Sequence, residues 1–193
     1  MQRTMTAIFA ALGARRPMLR ALTALLIAAM PGCAMLALAQ TLPAPKPPPC
    51  AAAEHRQFDF WIGRWEVRDP SGKIVGHNRI ERAHGGCALI ENWTGVGGVT
   101  GSSVNIYDRD HHRWHQTWVD SSGGLLQLDG SRSESAMSLS GSAFDADAVN
   151  QVVLQRITWT PLEGGRVRQL WESSTDGGKN WSVAFDGLYI RQD

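Results

Sequence analysis

The sequence predicts an all-β protein, a ten-stranded antiparallel up-and-down β-barrel with a short N-terminal plug turn or helix. Beyond Trp61 the chain has no convincing stretch of ten or more residues with the apolar period of a helix. Short runs rich in Val, Ile, Trp, Thr and Tyr alternate instead with turn signals, five of which are Gly-Gly pairs. Because the intervals have hairpin length, consecutive strands should pair as antiparallel neighbours.

Closure into a barrel is favoured because ten hairpin-linked strands would otherwise leave two exposed edges. An even number of strands also lets the first and the last pair antiparallel. A β-sandwich is the alternative, but a Greek key needs a long return connection, and the longest interval here is about seven residues. The runs predict strands at residues 63–69, 73–83, 87–95, 101–109, 113–120, 124–130, 136–143, 151–160, 166–175 and 181–191.

Residues 1–39 are predicted to be a signal peptide. Arginines precede an apolar run at residues 21–39, which ends in the Ala-Leu-Ala pattern of a cleavage site. A proline and a glycine interrupt this run, whereas a membrane helix needs about 20 apolar residues. Cleavage before Gln40 should therefore leave no stable membrane span and a periplasmic or secreted protein. A lipoprotein anchored at Cys33 and export by the twin-arginine route, with Arg-Arg at 15–16, are the alternatives.

Export changes what the cysteines can do, because disulfides persist in the periplasm and outside the cell. Cleavage would leave Cys50 and Cys87 as the remaining thiols, which predicts a disulfide between them. Two buried free thiols are the alternative. The disulfide would tie the end of a Pro-rich linker, residues 40–57, to the barrel domain, residues 58–193.

The charge balance argues against one class of partner. Four of the 19 Lys and Arg residues precede residue 40, so the predicted mature chain has 15 basic and 18 acidic residues, a net charge of −3. Nucleic-acid-binding proteins present a basic surface. We therefore expect no nucleic-acid partner.

The start of the predicted barrel carries a distinctive motif. Phe-Asp-Phe-Trp-Ile-Gly-Arg-Trp at residues 58–65 resembles the opening of lipocalin-like (calycin) barrels, where Gly-x-Trp begins the first strand after a helical turn that plugs one end. Gly63 and Trp65 match that motif. The resemblance implies that a basic residue of the last strand packs over Trp65. Arg191 is similarly placed, and Arg168 is the second choice.

A longer resemblance covers about residues 50–191. Gly-Gly-Cys at 85–87, Glu-Asn-Trp at 91–93, Asn-Ile-Tyr-Asp at 105–108 and Trp-His-Gln-Thr-Trp-Val-Asp at 114–120 resemble a family of exported bacterial lipocalin-like proteins of unknown function. The resemblance implies the barrel and export, but it supplies no established ligand. No long helix follows the last strand and the first hairpin is too tight for a two-helix lid, so the mouth is expected to be open or closed only by the loop at residues 94–101.

Strand alternation indicates what could line the barrel. Alternate residues share a face of a strand, so three consecutive strands each place aromatic side chains beside one polar group. Apolar walls with a few polar groups are typical of a ligand cavity. Alternatively, the polar groups bond to one another or to water inside a filled barrel, or this face points outward. The predicted ligand-binding residues are Glu91, Trp93, Asn105, Tyr107, Trp114, Gln116 and Trp118.

One further motif predicts a turn rather than chemistry. Ser-Thr-Asp-Gly-Gly-Lys-Asn-Trp at residues 174–181 matches the pattern called an Asp-box, best known from sialidases, in which the Asp accepts from turn amides and the Trp packs underneath. A single copy predicts a structural hairpin built on Asp176 and Trp181.

No metal or cofactor is expected. His111 and His112 lie at a predicted hairpin tip, where adjacent histidines are usually solvated, and His115 faces away from the predicted lining. The haem protein nitrobindin is also a ten-stranded calycin-like barrel, with its ligand a His late in the chain. This sequence has no His after His115, which argues against haem bound in that way.

The sequence therefore predicts an exported barrel that binds a small hydrophobic or amphipathic molecule in a Trp-lined cavity. One alternative is a small isomerase or cyclase in which Glu91 works with His84 or Asp108 as an acid–base pair; another is an envelope interaction protein without a ligand. A strongly raised pKa at Glu91 would favour the enzyme. A wide apolar cavity without such an acid would favour the binding protein, and a solid barrel with an exposed aromatic patch would favour the interaction protein.

Overall fold

The structure is a computed structural model that describes residues 46–144 and 151–192. The predicted signal peptide, residues 1–39, lies outside the described residues. Within them, no helix is both long and apolar enough to cross a membrane.

The described chain forms a closed antiparallel barrel in which each strand pairs with its sequence neighbours and β1 pairs with β10. This confirms the predicted all-β barrel. The strands are β1 Gly63–Arg68, β2 Ile74–Ala83, β3 Ala88–Gly95, β4 Thr100–Asp108, β5 Arg113–Asp120, β6 Leu125–Ser133, β7 Ala136–Phe144, β8 Val152–Leu162, β9 Arg166–Ser174 and β10 Ser182–Arg191. Four 3-10 turns accompany them: Ala53–Arg56, Asp59–Trp61, His84–Gly86 and Glu163–Gly165.

The strand ends differ most from the prediction in β6 and β8, which continue to Ser133 and Leu162 rather than 130 and 160. β8 includes Pro161, although proline has no N–H to donate to a strand ladder. Its place near the end of β8 tolerates this loss. There Pro161 pairs with Val167 of β9, and the pairing of β8 with β7 has already ended at Trp159.

An aromatic plug closes one end of the barrel. Phe58 is fully buried and stacks on Trp61, with ring centroids 4.9 Å apart, and it meets Trp159 edge-on at 5.1 Å. Trp65 donates its indole N–H to the Trp61 carbonyl at 2.9 Å, which fixes the turn against β1. Offset and edge-on pairs of this kind each contribute about 0.5–1.5 kcal/mol beyond burial of their area. The half of the barrel beside the plug is therefore a packed core.

Two contacts that were predicted from the sequence are present. Cys50 and Cys87 form a disulfide with a Cα–Cα distance of 5.1 Å. The Arg191 guanidinium lies over the Trp65 indole, 4.4 Å from the ring centroid, and Arg191 also donates to the Ile62 carbonyl at 2.9 Å. These contacts attach both ends of the described chain to the plugged end of the barrel.

Residues on the N-terminal side of the predicted domain boundary at residue 58 are already part of the folded structure. The turn Ala53–Arg56 lies in the predicted linker, and its His55 is only 8% exposed, edge-on to Tyr107 at 5.2 Å. Arg56 donates to the carbonyls of Cys50 and Gly86. This segment is therefore packed on the barrel from the disulfide onward.

Candidate functional site

The polar residues that the alternation assigned to one face point into the barrel. Glu91, Asn105 and Gln116 are 4%, 0% and 2% exposed. The odd-numbered strands run from the plugged end to the opposite end, which we call the mouth. The three residues lie near the middle of β3, β4 and β5, between the aromatic core and the mouth.

These side chains belong to one hydrogen-bonded network, which we call the polar belt. It spans seven consecutive strands of the barrel, β9, β10, β1, β2, β3, β4 and β5, and every one of them except β1 contributes a member. The belt consists of Gln169, Tyr189, Asn78, Glu91, Ser103, Asn105 and Gln116.

On one side of Glu91, the belt is a relay of donors. Gln116 Nε2 donates to Asn105 Oδ1 at 2.8 Å. Asn105 Nδ2 in turn donates to Ser103 Oγ at 2.8 Å, and Ser103 Oγ donates to Glu91 Oε2 at 2.6 Å. Asn105 and Ser103 thus each accept one hydrogen bond and donate the next one in the direction of the Glu91 carboxyl group.

On the other side, Asn78 Nδ2 is shared between Glu91 Oε1 at 2.7 Å and the Tyr189 hydroxyl at 3.2 Å. The Tyr189 hydroxyl donates to Gln169 Oε1. Asn78 Oδ1 is buried and has no partner among the described residues. The amide of Asn78 is thus turned so that its donors serve Glu91 and Tyr189.

Burial raises the pKa of Glu91 to about 7, and the hydrogen bonds from Ser103 and Asn78 offset only part of that effect. Burial also raises the pKa of Tyr189 well above its usual value, and the Glu91 charge adds to this. Glu91 can therefore change its charge near neutral pH, whereas Tyr189 stays a neutral donor. A titratable carboxyl group inside a cavity is a feature of many functional sites.

A cavity of about 120 Å³ lies on the mouth side of the belt. The belt forms its floor, and partly buried aromatic rings form much of its wall. An engineered apolar cavity of about 150 Å³ holds benzene, so the space suits one ring or a short branched chain. The lining residues are Glu91, Trp93, Gln116, Trp118, Leu126, Ile157, Gln169, Trp171, Phe185 and Tyr189.

Glycines keep two of the tryptophan rings against the wall. A Cβ at Gly76 would lie 2.4 Å from Trp93 Cη2, and a Cβ at Gly101 would lie 2.3 Å from Trp118 Cζ2. Each indole therefore covers a glycine of the neighbouring strand, a close approach that no larger residue permits. The rings leave the centre of the barrel empty as a result.

Hydrogen bonds fix two of the wall tryptophans. Trp118 Nε1 donates to Asp120 Oδ2 at 3.1 Å, and Trp171 Nε1 donates to Gln155 Oε1 at 2.6 Å. The bonds from Ser122 and Trp118, among others, hold the pKa of Asp120 down at about 2. The cavity walls are thus preorganised rather than collapsed.

The structure brings four of the seven predicted ligand-binding residues to the cavity, Glu91, Trp93, Gln116 and Trp118, and leaves three elsewhere. Asn105 lies in the belt behind Ser103. Trp114 and Tyr107 lie at the plugged end, where Trp114 meets Phe58 edge-on at 5.5 Å and donates to Gln57. Alternation shows which face of a strand a residue is on, but it does not show how far along the barrel axis the residue lies. Trp114 and Trp118 are on the same face of β5, but they are four positions apart and therefore about 13 Å apart along the strand.

The far wall of the site consists of residues that were not predicted from the alternation. Gln169, Trp171, Phe185 and Tyr189 of this wall lie on β9 and β10. Asn78, a further unpredicted member of the belt, lies on β2. A signal for this wall exists in the sequence: Glu/Gln-x-Trp occurs at residues 91–93, 116–118 and 169–171. Each copy lies on a strand that runs toward the mouth, so the polar residue reaches the floor and the Trp reaches the wall.

The other candidate groups lie outside the cavity. His84 is exposed in a turn at the plugged end, and Asp108, at the same end, bonds His111 Nδ1 at 2.6 Å, so neither is a partner of Glu91. His115 bonds Asp129 on the outer surface. No group of three His, Cys, Asp or Glu side chains in the described part of the chain is arranged to hold a metal ion.

The motif at residues 174–181 forms the hairpin turn that its pattern indicates. Asp176 accepts from the backbone of Lys179 and Asn180 and from the Asn180 side chain, and these bonds lower the pKa of Asp176 to about 2. The Trp181 indole donates to the Gly178 carbonyl at 3.1 Å. The side-chain hydrogen bonds of Asp176 and Trp181 thus hold the turn.

No family model matches the sequence, and no curated protein matches it.

Proposed function

We propose that this protein binds a small amphipathic molecule in the cavity between the polar belt and the mouth. The observation that carries the proposal is a hollow of about 120 Å³ whose floor is polar and whose walls are three tryptophans and a phenylalanine. A sealed core favours aliphatic side chains without hydrogen-bonding needs. Fixed indoles around empty space above a belt of polar groups instead suit one ring or short chain with a polar end.

The outer surface near the mouth supports the same proposal. Large apolar side chains are exposed there, including Val96 at 62%, Leu125 at 61%, Phe144 at 74% and Val183 at 62%. Contact of these apolar side chains with water is unfavourable for the free protein. An apolar entrance, however, reduces the cost of transferring an apolar ligand from water. We infer that ligand enters at the mouth, since the plug closes the other end.

The proposal is tested first on the natural ligand. Native mass spectrometry of protein purified from its own host should show an adduct, and solvent extraction should release a molecule of one-ring or short-chain size. The proposal would be wrong if the purified protein carries no adduct, shows no thermal shift across a library of small hydrophobic molecules, and has a barrel interior that is packed solid.

Benzyl alcohol, a single ring with one hydroxyl, provides a defined probe. It should quench Trp fluorescence, and Gln116→Leu should weaken its binding by about fivefold, because one lost hydrogen bond to a floor group corresponds to roughly 1 kcal/mol. Gln127→Leu is the matched control, since Gln127 is exposed on the outer face of β6. Equal weakening in both variants would contradict a role for the floor.

A second candidate, a proton-transfer enzyme, is favoured by the Glu91 pKa near 7. A carboxyl group with that pKa can accept and return a proton at neutral pH. This candidate predicts turnover of the extracted molecule that follows the titration of Glu91 and disappears in Glu91→Gln. Stoichiometric binding without turnover favours the binding protein.

We also propose export as a lipocalin-like protein of the envelope or the medium. The Cys50–Cys87 disulfide supports a non-reducing compartment, and the closed barrel is compatible with a lipocalin-like fold. N-terminal sequencing of protein from the periplasm or the medium should begin near Gln40. An intact N-terminus in the membrane fraction would contradict cleavage.

A further inference from the structure

The hydrogen bonds around Glu91 have a common direction. Asn78 and Ser103 both donate to its carboxyl oxygens. The Ser103 hydroxyl accepts from Asn105 and so has its own proton free for Glu91. An ionised carboxyl group accepts only, at two oxygens with about four lone-pair directions. The belt therefore directs hydrogen-bond donors at both oxygens of Glu91, as an ionised carboxylate requires. Part of the accepting capacity of the carboxylate remains unused.

The described protein supplies no cation for this carboxylate. Glu91 takes part in none of the ion pairs of the described chain, and no Lys, Arg or His is among the described residues that line the cavity. Arg79 and Arg82 of the adjacent strand β2 are exposed and pair with Glu81 and Asp59. A buried carboxylate without a counterion is costly, so a ligand that brings a positive charge would gain that interaction.

The cavity walls favour a cation and disfavour an anion. Indole, phenol and phenyl faces carry a negative quadrupole that attracts ammonium groups, most strongly when water is excluded. A ligand carboxylate or phosphate would meet the Glu91 charge with no basic side chain to balance it. The cavity chemistry thus differs from that of a site for fatty acids or other organic anions.

We propose that the cavity binds a small organic ammonium ion, with the ammonium group against Glu91 at the floor and the apolar body between the wall tryptophans. The inference rests on the proposed binding function and adds the chemical class of the ligand. An ammonium group carries up to three donors. Glu91 offers unused lone pairs, and Gln116 Oε1 has no donor among the described residues.

Binding should depend on pH through Glu91. The groups that face Glu91 are Asn78 from β2, Ser103 from β4, Gln116 from β5, and Tyr189 from β10. Of these only Tyr189 titrates, and it does so well above neutral pH. Affinity for an ammonium ion should therefore rise as Glu91 ionises between pH 6 and 8, whereas affinity for a neutral ligand should stay constant.

Three probes with the same ring test the proposal by titration calorimetry and Trp quenching on the full chain: benzylamine as the cation, benzyl alcohol as the neutral compound and benzoate as the anion. At pH 8, benzylamine should bind at least about tenfold more tightly than benzyl alcohol, and benzoate should bind more weakly than either. Lowering the pH to 6 should reduce the benzylamine preference.

Glu91→Gln should remove the preference of benzylamine over benzyl alcohol while both still bind. Glu81→Gln, an exposed change of the same net charge, is the matched control and should leave the preference intact. The comparison of probes on the unaltered protein needs no variant and stands if Glu91→Gln fails to fold.

The outcomes separate the two proposals. Benzyl alcohol or benzoate binding as tightly as benzylamine would overturn the ammonium inference and leave ligand binding in place. A preference for benzylamine that survives Glu91→Gln would also overturn it. Absence of binding by all three probes would overturn both proposals.

Discussion

Glu91 should make the stability of the protein depend on pH in an unusual direction. Its carboxyl pKa rises from an ordinary value of 4.5 to about 7 in the folded state, mainly because of burial. The folded protein therefore holds a proton that the unfolded chain has released between these two values. Stability from this group is fully present below pH 4.5 and is lost as the pH rises through 7.

The magnitude follows from the two pKa values. One pKa unit corresponds to 1.36 kcal/mol, so Glu91 should change the free energy of unfolding by about 3 kcal/mol over its whole range, and by about 2 to 3 kcal/mol between pH 5 and pH 8. His55 acts in the opposite direction, because burial and the Arg56 charge lower its pKa. The contribution of Glu91 must therefore be isolated by comparison with a variant.

Urea denaturation of the protein and of Glu91→Gln at pH 5, 6, 7 and 8 makes that comparison. The difference in unfolding free energy between the two proteins cancels His55 and every other shared group. As the pH rises from 5 to 8, we expect the unaltered protein to lose about 2 to 3 kcal/mol of unfolding free energy relative to Glu91→Gln. A difference that is constant across this range would refute both the buried state of Glu91 and its titration near neutral pH.

Two further perturbations test the framework and the cavity. Reducing the Cys50–Cys87 disulfide, which closes a sequence separation of 37 residues, should lower the free energy of unfolding by about 4 kcal/mol on the chain-entropy model; an unchanged urea midpoint in reductant would contradict this. Gly76→Ala would place a Cβ 2.4 Å from Trp93 and push the indole into the cavity, so benzyl alcohol binding should fall sharply. The control Gly97→Ala meets no atom within 4 Å and should bind normally.

The barrel could be predicted from the sequence because local signals determine its strands and their order. Turn residues delimit each strand, alternation separates the inner face from the outer, and hairpin links leave only sequential antiparallel pairing. The same period placed Glu91 and Gln116 inside. The disulfide also followed from local reasoning, since cleavage at the predicted site leaves two cysteines.

The repeated Glu/Gln-x-Trp pattern marks Gln169 and Trp171, but the part of the far wall that β10 supplies could not be obtained in this way. Gln169 and Tyr189 join the hydrogen-bond network of Glu91 through Asn78 only because the barrel closes and its strands are staggered, and no local pattern measures that stagger. Nor does the sequence of β3 show which way Trp93 turns. That depends on the register that places Gly76 beside it on the neighbouring strand.

The two halves of the barrel use the same residue type for opposite purposes. At the plugged end, Trp61 and Trp159 meet Phe58 and fill the interior. At the mouth, Trp93 and Trp118 lie over glycines, so the interior stays open. The packed half supplies the stability that a buried carboxyl group and an unfilled cavity remove from the other half. The polar belt lies at the boundary between them, where rigid neighbours hold its donors in place and a ligand can still reach Glu91 from the mouth.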